Sequence, residues 1–138
     1  MVSGKKKIIL VFPEMENMPI VSFEDLKVWQ KAHQLTLTIY KITRSFPVDE
    51  RFGLTSQIRR SVASICSNIS EGYKKSRKEF VRFLDISIGS LEETKYHLLL
   101  SRDLSYLKLD QFNELYNLSS EIGKMLNSLT NKLKVLNG

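Results

Sequence analysis

From Ser22 onward, apolar residues recur at alternating steps of four and three in four successive blocks, with short turn signals between them. A strand buries every second residue, whereas a helix brings residues three and four apart onto one face, so this spacing commits the chain to helices. The first block opens with SFEDL: Ser22 can cap a helix, and Asp25 takes the capping-box position usually held by Glu or Gln. Val28, Ala32, Leu35, Ile39, Ile42 and Phe46 form its seam, Leu26, Trp29, Leu37 and Tyr40 widen the apolar face, and Pro47 ends it.

The second block carries Leu54, Ile58, Val62, Ile65 and Ile69 on one stripe and stops at Gly72, which suits the left-handed position after a helix end. The third starts at Ser76, a natural cap, with Glu79 three residues on completing a capping-box pattern. Phe80, Leu84, Ile88, Leu91 and Leu98 line its core face to about Asp103, and the turn YLKLD follows. In the fourth, Phe112, Leu115, Ile122, Leu126, Leu129, Leu133 and Leu136 make a near-heptad. Helices of about 20 to 28 residues are rods roughly 30 to 40 Å long, and connections of a few residues force sequence neighbours to run antiparallel. Pattern alone therefore predicts an all-α fold, an antiparallel up-and-down four-helix bundle over residues 22–138. Three prolines and six glycines in 138 residues agree with long, seldom interrupted helices.

Residues 1–21 lie outside this pattern and read as a flexible or strand-like extension. MVSGKKKIILVFPEM begins like a secretory leader, but its apolar run from Ile8 to Phe12 is short, and Pro13 and Glu14 end it without a small-residue cleavage site. A membrane span needs roughly 20 apolar residues, so the expectation is a protein with no membrane segment. The single cysteine, Cys66, has no second thiol to pair with and fits a reducing, cytoplasmic setting. It sits among apolar helix positions, where a buried spectator thiol is the plain reading.

Bundles of this kind can hold two metal ions, but that chemistry needs paired Glu-x-x-His motifs facing inward. Here Gln30 precedes His33 by three and Thr94 precedes His97 by three, so the motif is missing twice. Glu93 and His97, one turn apart, read as an exposed or interhelical pair. Gly53, Gly72, Gly89 and Gly123 are isolated, so no glycine-rich loop cradles a phosphate. The sequence leads us to expect no metal, no cofactor and no enzymatic activity.

Charge is more informative. The net charge is +6, and between Arg51 and Arg82 eight positive residues face only Glu71 and Glu79, so this window carries the whole excess. Arg59, Arg60, Lys74, Lys75, Arg77, Lys78 and Arg82 are the candidate phosphate contacts, five of them crowding the turn between the second and third helices. A solvated helix start that keeps the protein soluble is the plainer alternative. No aromatic platform or recognised nucleic-acid-binding motif accompanies the cluster, so sequence-specific reading is not implied.

Beside the apolar stripe of the second helix runs a second one of small or polar residues, Ser61, Ser64, Asn68 and Gly72. The third helix has its counterpart in Ser87, Ser90, Thr94, His97 and Ser101, with Gly89 alongside. Small residues let backbones approach closely, either within one bundle or between two subunits. Asn68 and Glu71 then need partners, because an unpaired buried polar group costs about 1 to 3 kcal/mol. Gln57, Arg59, Arg60 and Glu92 complete the predicted polar network.

These residues carry a resemblance. FEDLKVWQKAHQL, FPVDERFGLTSQIRRSVASICSNISEGY and SRKEFVRFLDISIGSLEETKYHLLLSRDLSYL together resemble the bacterial four-helix bundle family named after the intervening sequence of 23S ribosomal RNA. The likeness spans about residues 22 to 130 and rests on Leu26 and Trp29, on Gln57 to Arg60, on Ser67 to Gly72, and on Gly89 to Glu92, with Ser61 and Val62 standing where an alanine pair is more usual. It implies a non-enzymatic bundle that assembles as a ring-like homopentamer. It also implies kinship with the accessory variability protein of diversity-generating retroelements, a basic pentameric barrel that binds a reverse transcriptase and nucleic acid. The functional expectation is thus a cytoplasmic oligomeric scaffold that binds RNA or DNA without strong sequence preference. The alternative is a protein-interaction module that binds no nucleic acid.

Overall fold

The structure, a computed structural model, describes residues 20–137, with side chains through Val135. Most of the extension read at residues 1–21 and the side chain of Leu136 lie outside the described residues. Four helices carry the fold: α1 (Lys27–Ile42), α2 (Leu54–Tyr73), α3 (Arg77–Asp103) and α4 (Leu109–Asn137). Single 3-10 turns at Phe23–Asp25, Thr43–Ser45 and Val48–Glu50 complete the regular elements among the described residues.

The helix ends follow from local chemistry. Ser22 and Asp25 form the expected capping box, but on the Phe23–Asp25 turn, and α1 itself starts at Lys27. α1 gives way to 3-10 geometry after Ile42, and Phe46 is extended, the conformation favoured before a proline. At the start of α3 the Ser76 hydroxyl accepts the Glu79 amide at 3.2 Å, while the Glu79 carboxylate turns to Arg82 instead of closing the box. α3 ends in a Schellman arrangement: the Tyr106 amide donates to the Ser101 carbonyl at 2.8 Å and the Ser105 amide to that of Arg102 at 2.9 Å. Ser105 has a positive φ of 63°, in the position where glycine is usual.

Each helix packs on its sequence neighbours, and α4 closes the ring against α1. Residue numbers rise on one helix as they fall on the next. Trp29 meets Ser70 and Thr43 meets Arg59 across α1 and α2; Arg60 meets Glu93, and Gly72 meets Phe83, across α2 and α3. Leu91 touches Gly123 and Arg102 covers Phe112 across α3 and α4, and Lys31 pairs with Glu121 at 3.0 Å across α1 and α4. These contacts fit the antiparallel bundle that the periodicity predicts.

The predicted stripes form the core. Leu35, Ile58, Ile65, Leu84, Leu91, Leu115, Ile122 and Leu126 are all but inaccessible, each contributing about 1.5–3 kcal/mol of transfer free energy. Two readings need correction. Leu37 and Tyr40 do not widen the core face of α1 but stand 58% and 42% exposed. Gly72 is not a left-handed residue beyond a helix end: α2 runs through it to Tyr73, and it is buried. A Cβ there would lie 2.6 Å from the Phe83 Cβ and 3.1 Å from Phe80 Cδ1, so glycine is needed for the close approach of α3.

Candidate nucleic-acid interface

The stripe of small residues is an intramolecular seam between α2 and α3. Ser61 Oγ and Thr94 Oγ1 lie 2.9 Å apart, both residues fully buried, and the Thr94 hydroxyl also reaches the Ser90 carbonyl at 2.9 Å. One turn along, the Ser90 hydroxyl donates to Ser64 Oγ at 3.0 Å, and beyond it the Ser87 hydroxyl donates to the Ile65 carbonyl at 2.9 Å. Hydroxyls placed this way satisfy one another and the local carbonyls as the two backbones close up, while His97 Nδ1, toward the end of the stripe, is buried without a hydrogen-bond partner among the described residues.

The predicted polar network divides along this seam. The Asn68 amide donates to the Ser64 carbonyl at 2.8 Å and to Ser64 Oγ at 3.0 Å, so its partners are on its own helix and not the arginines. Arg60 reaches across to Glu93 and is steadied by Gln57 at 3.1 Å, and the same Glu93 oxygen meets His97 Nε2 at 3.2 Å. Glu92, one residue away, faces solvent and pairs with Lys95 at 3.5 Å. Glu71 is exposed near the end of α2. Arg59 turns the other way: its Nε donates to Thr43 Oγ1 at 2.8 Å, its Nη2 to the Tyr40 carbonyl at 3.2 Å, and its guanidinium covers the Tyr40 ring at 4.8 Å.

The candidate phosphate contacts therefore fall into two groups. Lys74, Lys75, Arg77 and Lys78 are exposed together where α2 ends and α3 begins. Lys74 and Lys78 form no ion pair among the described residues. Arg82 follows one turn later, bound to Glu79 at 3.1 Å and stacked over Phe83 at 4.7 Å; the Lys75 ammonium stands 5.8 Å from the same ring. The positive end of the α3 dipole adds to this field. Arg59 and Arg60 sit about 15 residues up α2, roughly 22 Å away, so they do not join the basic turn.

Two further arginines share the Arg59 end. Arg44 and Arg51 line a cleft with Arg59, between the close of α1 and the start of α2. Sequence reasoning counted Arg51 for charge but passed over Arg44 and the exposed aromatic Phe52; a loop aromatic lying off the helical periodicity was the available signal.

Other chemistry has little to build on here. Burial pushes the Cys66 thiol up to about 12, and its sulfur lies 3.8 Å from the Trp29 carbonyl. Among the described residues no group of three or more His, Cys, Asp or Glu side chains comes together to hold a metal, and no helix is long and apolar enough to cross a membrane.

Comparison with protein families matches residues 24–128 to the model described as 23S rRNA-intervening sequence protein. The chain belongs to that family. A solved structure from the S23 ribosomal protein family of Bacteroides thetaiotaomicron, a protein described as of unknown function, is 32% identical. The likeness covers 75% of this chain and 97% of that one, at a TM-score of 0.67. Among curated proteins none matches. The intervening-sequence family match takes in the whole α2–α3 seam and the basic turn, so both features lie within the shared domain.

Proposed function

We propose that this member of the 23S rRNA-intervening sequence protein family is a non-enzymatic, oligomeric scaffold of the cytoplasm that binds RNA or other nucleic acid through its basic turn, without strong sequence preference. The observation that carries the reading is the exposed group Lys74, Lys75, Arg77 and Lys78 at the N-terminus of a 27-residue helix. Four cations and a helix dipole pointing the same way attract phosphates whatever the bases. Assembly into a homopentamer, which the family resemblance implies, would repeat this turn around an axis and multiply the field. Ile86 and Tyr96, exposed on the outer side of α3 at 41% and 58%, offer apolar surface for such assembly.

The test is binding of a structured RNA across a salt series. Each phosphate contact adds about 0.9 to the slope of log K against log salt, so a steep slope is expected, and changing Lys74, Lys75, Arg77 and Lys78 together to Glu should abolish binding. Binding indifferent to both would leave the alternative, a protein-interaction module. Light scattering before and after nuclease treatment reports the subunit number and any nucleic acid carried along; five subunits are expected. Under the alternative, Asn68→Ala or Arg60→Ala, which break contacts inside one bundle, would lower the melting temperature while no nucleic acid is recovered.

A further inference from the structure

At the opposite end of the bundle from the basic turn, Arg44, Arg51 and Arg59 line one cleft together with Thr43, Thr55 and the apolar Phe46, Pro47 and Val48. α2 separates the two ends by 20 residues, roughly 30 Å. The cleft has a volume of about 230 Å³, below the roughly 300–1,000 Å³ of sites that enclose a whole drug-sized ligand, so it suits one charged group of a longer molecule.

Two of its three arginines are not spent on joining helices. Arg44 and Arg51 form no ion pair among the described residues. The nearest carboxylate in sequence, Glu50, is committed elsewhere: one oxygen accepts the Leu54 amide at 3.0 Å and the other the Tyr106 hydroxyl at 2.9 Å. Arg59 is the fixed member, held by Thr43 and the Tyr40 carbonyl and stacked on the Tyr40 ring, with other N–H groups left over. A carboxylate is satisfied by a single guanidinium fork, whereas three arginines lining one cleft suit a chain of phosphates.

The aromatic residues point to the strand form of that chain. Phe52 is 85% exposed, with the Arg51 guanidinium 5.2 Å from its ring centroid, and Tyr40 carries Arg59 in the same way. An exposed phenylalanine contributes nothing to the core, but rings and guanidinium planes beside a cationic groove are what unpaired bases stack on. Bases inside a duplex are not available for this. We propose that the Arg44–Arg51–Arg59 cleft is a second nucleic-acid site, specific for single strands, which seats a phosphate among the arginines with a neighbouring base against Phe52. The proposal rests on the nucleic-acid reading above and adds to it a strand preference and a separate location.

Fluorescence anisotropy with three labelled probes decides it: a uridine 12-mer, a 16-base-pair RNA duplex and an acidic decapeptide. Phe52→Ala should weaken 12-mer binding about five- to hundredfold, the range for one lost stacked base, and leave the duplex within twofold, while Phe52→Tyr restores the 12-mer. Arg44→Glu with Arg51→Glu should do the same more severely, and these exposed positions leave the core intact. If the cleft variants bind the 12-mer like wild type while the Lys74/Lys75/Arg77/Lys78 variant loses it, the cleft proposal falls and the basic turn stands. If wild type binds neither nucleic acid, both readings fall; acidic-peptide binding lost with Arg44→Glu would then assign the cleft to a protein ligand.

Discussion

Gly72 lies directly against Phe83, so close that a single added methyl would overlap the Phe83 side chain at 2.6 Å from its Cβ. This contact joins the last turn of α2 to the first turns of α3 and fixes how tightly the chain reverses at Lys74, Lys75 and Ser76. The exposed cations are therefore presented by a rigid corner.

Gly72→Ala should destabilise the bundle despite alanine's better helix propensity. Overpacking costs about 1–3 kcal/mol, against a propensity gain of about 1 kcal/mol, so a net loss of up to about 2 kcal/mol is expected in urea titrations. Gly89→Ala is the control: nothing lies within 4 Å of a Cβ there, and stability should rise by up to about 1 kcal/mol. Equal signs for the two variants would contradict the close-approach account.

The Ser61–Thr94 bridge should behave as a coupled pair. Thr94→Val removes the hydroxyl that meets Ser61 Oγ at 2.9 Å and should cost about 1–2 kcal/mol. Combining it with Ser61→Ala should cost less than the sum of the single changes, with a coupling of about 0.5 kcal/mol or more. A strictly additive cycle by thermal or chemical denaturation would show that the hydroxyls do not act together.

Ser105 holds the left-handed position of the α3 terminus at φ 63°. A non-glycine residue there carries a penalty of about 1 kcal/mol, partly offset by the greater chain entropy that glycine brings to the unfolded state. Ser105→Gly should raise the stability by up to about 1 kcal/mol, and with it the unfolding midpoint, and Ser105→Val should lower both by more; differential scanning calorimetry separates the two.

The Cys66 thiol, pushed up to about 12 by burial from an ordinary 9.0, gives a pH signature. The unfolded chain sheds this proton near pH 9 while the native state keeps it until about 12, so the native state holds more protons in that window. Stability therefore falls as pH rises above about 9. Cys66→Ala should flatten that fall in a series of melts, and a disulfide reagent should label the native wild type far more slowly than the urea-unfolded chain. Fast native labelling at pH 8 would contradict the burial.

Much of the bundle was legible because stripes at steps of three and four are a property of single helices, and Ile58, Leu84 and Ile122 are buried as that rule requires. What escaped was relational. Arg59 and Arg60 are adjacent in sequence but about 100° apart around the helix, so one turns to α1 and the other to α3; only the packing tells them apart. Glu92 and Glu93 differ for the same reason. Leu37 and Tyr40 misled because residue type does not report exposure. Gly72 looked like a helix stop because the ring that needs its space, Phe83, belongs to the opposing helix.

The seam between α2 and α3 is made of neutral hydroxyls, amide groups and backbone carbonyls, with Arg60 and Glu93 only at its outer edge. Ionic strength acts on charges and leaves such a joint alone. Brine strong enough to strip a polyanion from the basic corner should leave the helix pair assembled. Adhesion to polyanions and the integrity of the fold are thus governed by different solvents, salt for one and urea for the other, and each can be titrated without disturbing its counterpart.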